Sequence, residues 1–103
     1  MKFDTGKPPI NLVPSTAIIA AANVFAFGAK KYGENNWRKD VNKFPVSRHY
    51  ASIMRHLLAW NDGEDIDPES GLPHIHHAMT QMMILSVCND EATDKVDDRF
   101  NKE

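Results

Sequence analysis

The sequence predicts an all-α fold: three main helices, an extended N-terminal arm and a short C-terminal helix or tail. Two observations carry this. Apolar residues recur three and four apart in three separate segments, and no segment alternates apolar with polar residues at strand period. The six prolines fall between those segments or at the first position of one. With 103 residues, 42% hydrophobic and 25% charged, the chain reads as one globular domain over 1–103. One cysteine forms no internal disulfide, so stability must come from packing, in part against another copy of the chain.

Gly6, Pro8, Pro9 and Pro14 make residues 1–14 an extended arm, because proline offers no backbone donor. Ser15 is read as the N-cap of the first helix, which runs to Lys31 with Gly33 as its terminator. Ile18, Ala21, Ala22, Phe25 and Ala29 form its stripe, with Ile19, Val24 and Phe27 off it. A helix apolar nearly all round has no solvent face, so it is expected to be central or shared with another subunit. Residues 32–46 read as a long loop pinned by Trp37 and Phe44. Ser47 is read as the cap of a second helix over Arg48 to Asn61, and residues 62–72 as an acidic loop. Pro73 opens a third helix, expected to run to Asn89 with Cys88 as a buried thiol. Val96 and Phe100, four apart, suggest a short helix in the acidic tail.

Charge is divided along the chain. Residues 1–55 hold nine Lys/Arg against three acids, and residues 56–103 hold three against eleven. Two readings stand: opposite halves that attract during folding, or a basic phosphate wall facing an acidic cation loop. The acidic half opposes a polyanion, so nucleic acid is not an expected partner. No apolar run approaches the length of a membrane span, and Met1 to Lys7 has no apolar signal core. A cytoplasmic location is therefore expected, with no membrane partner.

Glu64, Asp65, Asp67 and Glu69 gather oxygen ligands of the kind a hard divalent cation takes. Alternatively they form a solvated turn that favours the next helix N-terminus. His56 ends one helix, while His74 and His77 lie one turn apart at the start of the next. A tight connection would gather all three around the loop, where imidazole binds metal, moves a proton or donates to phosphate. Lone histidines are otherwise packing residues, and His76 is read that way. Lys7, Lys30, Lys31, Arg48 and Arg55 suit phosphate, as side chains rather than a Gly-rich cradle, or else belong to a solvated surface. Tyr32 and Trp37 either stack on a base or anchor their loop, and Asn36 could meet a base edge.

An ordered set of motifs adds to this reading. It comprises Asp4-x-Gly6-Lys7-Pro8, Phe27-Gly28-Ala29-x-Lys31-Tyr32-Gly33, Asn36-Trp37, Arg55-His56-Leu57, Gly63-Glu64-x-x-Asp67-x-x-Ser70-Gly71 and His74-x-x-His77. Over about residues 2–86 the chain resembles the phage dATP/dGTP diphosphohydrolase N-terminal domain family, whose members are similar to MazG-like all-α nucleotide pyrophosphohydrolases. The resemblance implies a helical dimer or tetramer that uses Mg²⁺ or Mn²⁺. It would cut a deoxynucleoside triphosphate between its α- and β-phosphates, giving monophosphate and pyrophosphate. MazG-type sites carry Glu-x-x-Glu on one helix and Glu-x-x-Asp on the next. Here only Glu64-x-x-Asp67 matches, in a loop, and no Glu-x-x-Glu occurs.

The expected site follows from both lines. Glu64 and Asp67 hold metal, with Asp65 or Glu69 as an added ligand. His56, His74 and His77 are the catalytic set, orienting water or taking its proton. Asp4, Lys7, Lys31, Tyr32, Asn36, Trp37, Arg48 and Arg55 bind substrate, the basic members around the phosphates. Two alternatives differ in class: a phage protein that binds a nucleotide or nucleotide signal without cutting it, and a small helical interaction protein.

Overall fold

A computed structural model describes residues 5–40, 44–91 and 95–100. The described residues form an all-α arrangement of four helices: α1 (Ser15–Tyr32), α2 (Asn36–Asp40), α3 (Val46–Asn61) and α4 (His74–Glu91). They contain no sheet, only the isolated bridges Pro45–Val96 and Ile66–Pro73. The antiparallel connection of α3 to α4 makes their pair the main packing unit, and α1 lies against α4. Asp4 lies outside the described residues.

Each boundary has a local cause. The arm is exposed and tightens into one 3-10 turn at Ile10–Leu12, where Pro9 O accepts the Leu12 N–H at 2.9 Å. Pro14 is extended at ψ 125°, and Ser15 becomes the first helical residue rather than the cap. Gly33 ends α1 at φ 100°, with its N–H donating to Ala29 O at 2.8 Å. That backbone region suits glycine alone. The expected long loop contains α2, which starts after Asn35 turns at φ 58°. This turn seats Trp37 on Phe25, ring centroids 5.6 Å apart.

α3 begins two residues before Arg48, and its N-terminus is satisfied from the far end of the chain. Val46 N–H donates to Val96 O at 2.9 Å, and Ser47 gives both its N–H and its hydroxyl to the Asp98 carboxylate. Those bonds, the side-chain one first, hold the Asp98 carboxyl below its ordinary range. Residues 95–100 therefore run as an irregular clasp, and the short helix expected around Val96 and Phe100 does not form there. Asp98 supplies the negative charge that a helix N-terminus favours.

The core is small. Ala20, Ala21 and Val24 of α1, Ile53 of α3, and Ala78 and Cys88 of α4 are buried. The buried face of α1 is thus rotated from the stripe read in the sequence: Ile18 and Ala22 are exposed, while Val24 turns inward. Alanines at 20, 21 and 78 leave little bulk between α1 and α4, which is what lets the two helix backbones approach. Between α3 and α4, Gln81 Nε2 donates to the buried His49 Nδ1 at 2.8 Å. Among the described residues no helix is long and apolar enough to cross a membrane.

Candidate metal centre

The loop between α3 and α4 is folded back on itself by its own backbone. Asp67 N–H donates to Leu72 O at 2.9 Å, Gly71 N–H to Asp67 O at 2.8 Å, and His74 N–H to Asp65 O at 2.8 Å. Gly63 at φ 101° and Gly71 at φ 74° make the two reversals. The acidic residues are therefore fixed in direction, and they do not all point one way. Asp67 Oδ1 accepts the Glu69 N–H at 2.9 Å, which leaves Oδ2 to face the helices. Glu69 instead turns outward to pair with Lys31 of α1.

Three histidines meet above Asp67. Asp67 Oδ2 lies 3.9 Å from His56 Nδ1 and 3.8 Å from His77 Nε2. The His56 and His77 rings stack at 4.7 Å with planes 9° apart. One donor atom from each of His56, Asp67 and His77 lies within 4.8 Å of the others. His74 stands behind them: its Nδ1 is 2.9 Å from His56 Nδ1, and its Nε2 is 2.6 Å from Glu64 Oε1. Ser70 Oγ accepts the Leu72 N–H at 3.1 Å and lies 2.6 Å from His77 Nε2. The edge of Phe27, from α1, closes the far side of His77 at 6.2 Å.

Burial is the first cause of the electrostatics at this cluster. It pushes both His56 and His77 below the ordinary histidine pKa, and Asp67 only partly offsets this. Both rings are then neutral at pH 7, the form in which imidazole binds a metal. Below pH 6.5, the ordinary value, unfolded chains protonate these rings before folded ones do. The melting temperature of the metal-free chain is therefore expected to fall as pH drops from 7 towards 5.5. A His56→Gln/His77→Gln double variant should flatten that fall; an unchanged slope in circular dichroism melts would refute the assignment.

The donor set fits a divalent cation: two neutral imidazoles and one carboxylate oxygen held by its loop. The remaining expected site residues sort by distance from it. Lys31 reaches the loop through Glu69, lies over Phe27 at 5.9 Å and over Tyr32 at 5.1 Å, and the ion pair raises its pKa. Arg55 precedes His56 and is exposed. Arg48 stacks on Phe44 at 4.1 Å, and Trp37 lies between Phe25 and Arg38. Asn36 is half-buried at the start of α2, and Lys7 is exposed on the arm. Glu64 pairs with His74, while Asp67 faces His56 and His77. Ser70 and Phe27 also border the cluster, although the sequence reading does not place them in the site. Their signal lies in the Ser70-Gly71 pair, and in Phe27 standing four residues before Lys31, one turn along the same helix side.

Comparison with known proteins gives the family. The family described as dATP/dGTP diphosphohydrolase, N-terminal, matches residues 1–99. A dATP/dGTP diphosphohydrolase of Salmonella phage PMBT28 is 35% identical over 85 residues, which is 82% of this chain and 28% of that relative. The chain thus spans little more than a quarter of the relative's length. No solved structure matches. With the match running from the arm through all four helices and the histidine cluster, the chain belongs to the dATP/dGTP diphosphohydrolase N-terminal domain family.

Proposed function

We propose that this chain hydrolyses deoxynucleoside triphosphates to monophosphate and pyrophosphate, using Mg²⁺ or Mn²⁺ held at the histidine–aspartate cluster. The observation that carries the reading is the convergence of His56, Asp67 and His77 in a member of a family named for dATP and dGTP. His56, His77 and Asp67 would hold the ion. Bound there, it would supply a positive charge for the phosphate oxygens and a more acidic water.

The chain's own residues do the rest. Loop closure fixes Asp67 before any ligand arrives, so little ordering cost falls on binding. Lys31, paired with Glu69 of the loop, is the cation that would meet a phosphate at the rim. Arg55 and Lys7 add charge from the flanking helix and arm. Tyr32, 62% exposed beside Lys31, offers an open face for base or sugar, with Asn36 close to it along the chain. A cytoplasmic location suits a nucleotide substrate.

We also propose that the working form is a dimer or tetramer. A chain of this mass is expected to expose about 5,800 Å² as a folded monomer. This one exposes 7848 Å². Ile18 and Ile19 of α1 and Met82 and Met83 of α4 stand in solvent, the latter pair beside an apolar groove of about 500 Å³. Size-exclusion chromatography with light scattering is expected to give a mass at least twice 11.6 kDa. A stable 11.6 kDa species at micromolar concentration would remove this part.

Activity is tested directly. Purified chain is incubated with each dNTP and Mg²⁺ or Mn²⁺, and products are resolved by ion-exchange chromatography. Equimolar monophosphate and pyrophosphate are expected, absent from an Asp67→Asn control. Tight binding of intact nucleotide without turnover would favour the sequestering reading instead.

A further inference from the structure

We propose that the apolar groove between α3 and α4 receives the N-terminal arm of a second copy of this chain, with Ile10 and Leu12 as the inserted side chains and each arm seated in the other copy's groove. This deepens the oligomeric reading above and rests on it.

Both halves of the contact stand open on one chain. Residues 5–14 are exposed throughout, Ile10 and Leu12 to 68% and 75%. The groove is lined by Leu57 of α3 and by Ile75, Ala78, Met79, Met82 and Met83 of α4, and its wall is almost wholly apolar. Met82 and Met83 are 56% and 45% exposed there. From Ile75 to Met83 the groove follows α4 for about 12 Å. The 3-10 turn at Ile10–Leu12 needs about 6 Å of that length.

Hydrogen bonding favours this pairing. A groove without polar partners suits a segment whose backbone donors are already met. In the arm, Ile10 N–H donates to Pro8 O at 2.9 Å, Leu12 N–H to Pro9 O at 2.9 Å and Val13 N–H to Ile10 O at 3.0 Å. Pro8, Pro9 and Pro14 have no N–H to satisfy. The turn therefore offers apolar side chains with these bonds already made. The prolines also narrow the arm's backbone freedom, so less entropy is lost when it docks. Methionine side chains adjust their shape to aliphatic groups of this kind.

Connectivity and area point to a second copy as the occupant. Pro14 is extended at ψ 125° and leads directly into α1, with no hinge loop between arm and helix. The arm thus stands clear of its own groove and open to another's. The chain exposes about 2,000 Å² more than is expected of a folded monomer of its mass. A standard interface takes about 800 Å² from each partner. Two arms entering two grooves about one two-fold axis would use surface on that scale and leave no arm free.

The experiment follows the mass of the whole chain by size-exclusion chromatography with light scattering, with circular dichroism to check each variant's helices. Ile10→Asp/Leu12→Asp in the arm and Met82→Glu in the groove change exposed positions. Each is expected to weaken association at least about 10-fold, moving the mass towards 11.6 kDa where the wild type is assembled. Leu12→Lys and Met82→Glu chains, each dissociated alone, are expected to pair when mixed. One groove of the mixed pair then joins lysine to glutamate, and the other joins native residues. A wild type that is monomeric at micromolar concentration would overturn the oligomeric reading and this inference together. An assembly that survives the arm substitutions would overturn this inference and leave the oligomeric reading standing. Dissociation by the arm variant but not by Met82→Glu, or no pairing in the mixture, would take the arm out of this groove and overturn the inference as well.

Discussion

Asp67→Asn is expected to abolish metal binding and, with it, nucleotide turnover. The substitution keeps size and the Oδ1 bond to the Glu69 N–H, so the loop should hold its shape. What it removes is the anionic oxygen at Oδ2, the atom lying between His56 and His77. An amide is a poor ligand for a divalent cation, and its NH₂ would have to point into the donors or displace the backbone bond. Loss of an outer partner of a metal ligand commonly costs 10- to 100-fold, so loss of the carboxylate ligand itself should cost at least about 10³-fold in affinity. The melting temperature without metal should change little, and the stabilisation expected from Mn²⁺ in the wild type should vanish. Calorimetry and melts with and without Mn²⁺ check both halves. A variant that binds Mn²⁺ like wild type would take the centre away from this residue.

Ile53→Ala should produce the largest loss of stability. Ile53 is buried in α3, three residues and nearly one turn before His56, on the side that packs against α4. Truncating a buried Ile to Ala costs about 2–5 kcal/mol in transfer and cavity terms. For a domain near 100 residues, each kcal/mol shifts the melting temperature by about 4–8 °C. A drop of at least about 8 °C is therefore expected, with the marginal core of a small chain giving little reserve. The same change should weaken metal binding, because His56 comes from α3 while His74 and His77 come from α4. Loss of stability with unchanged Mn²⁺ affinity would mean that the loop alone sets the donor spacing.

The three main helices were legible because periodicity and proline placement report on local structure. The cluster of His56, His74 and His77 about Asp67 was legible for a related reason: a short connection must bring the adjoining helix ends together. What the sequence concealed depended on contacts between distant segments. Nothing in Ser47 or Asp98 announces that the tail will clasp α3, and an isolated Val96/Phe100 spacing suggested a helix where that clasp exists. The division of labour among Glu64, Asp67 and Glu69 was hidden too. Composition gives all three the same charge, and only the loop's backbone bonds decide that one faces imidazoles, one backs His74 and one meets Lys31. Trp37 could be read as stacking platform or anchor, and its contact with Phe25 was not announced by the sequence.

The α3–loop–α4 connection has a kinetic consequence. Every donor atom of the centre belongs to one uninterrupted stretch between positions 56 and 77, whose closure needs no partner from either end of the chain. Contacts so near in sequence close quickly and cheaply. In a nascent chain these contacts can form as soon as this stretch has left the ribosome, before α1 settles against α4.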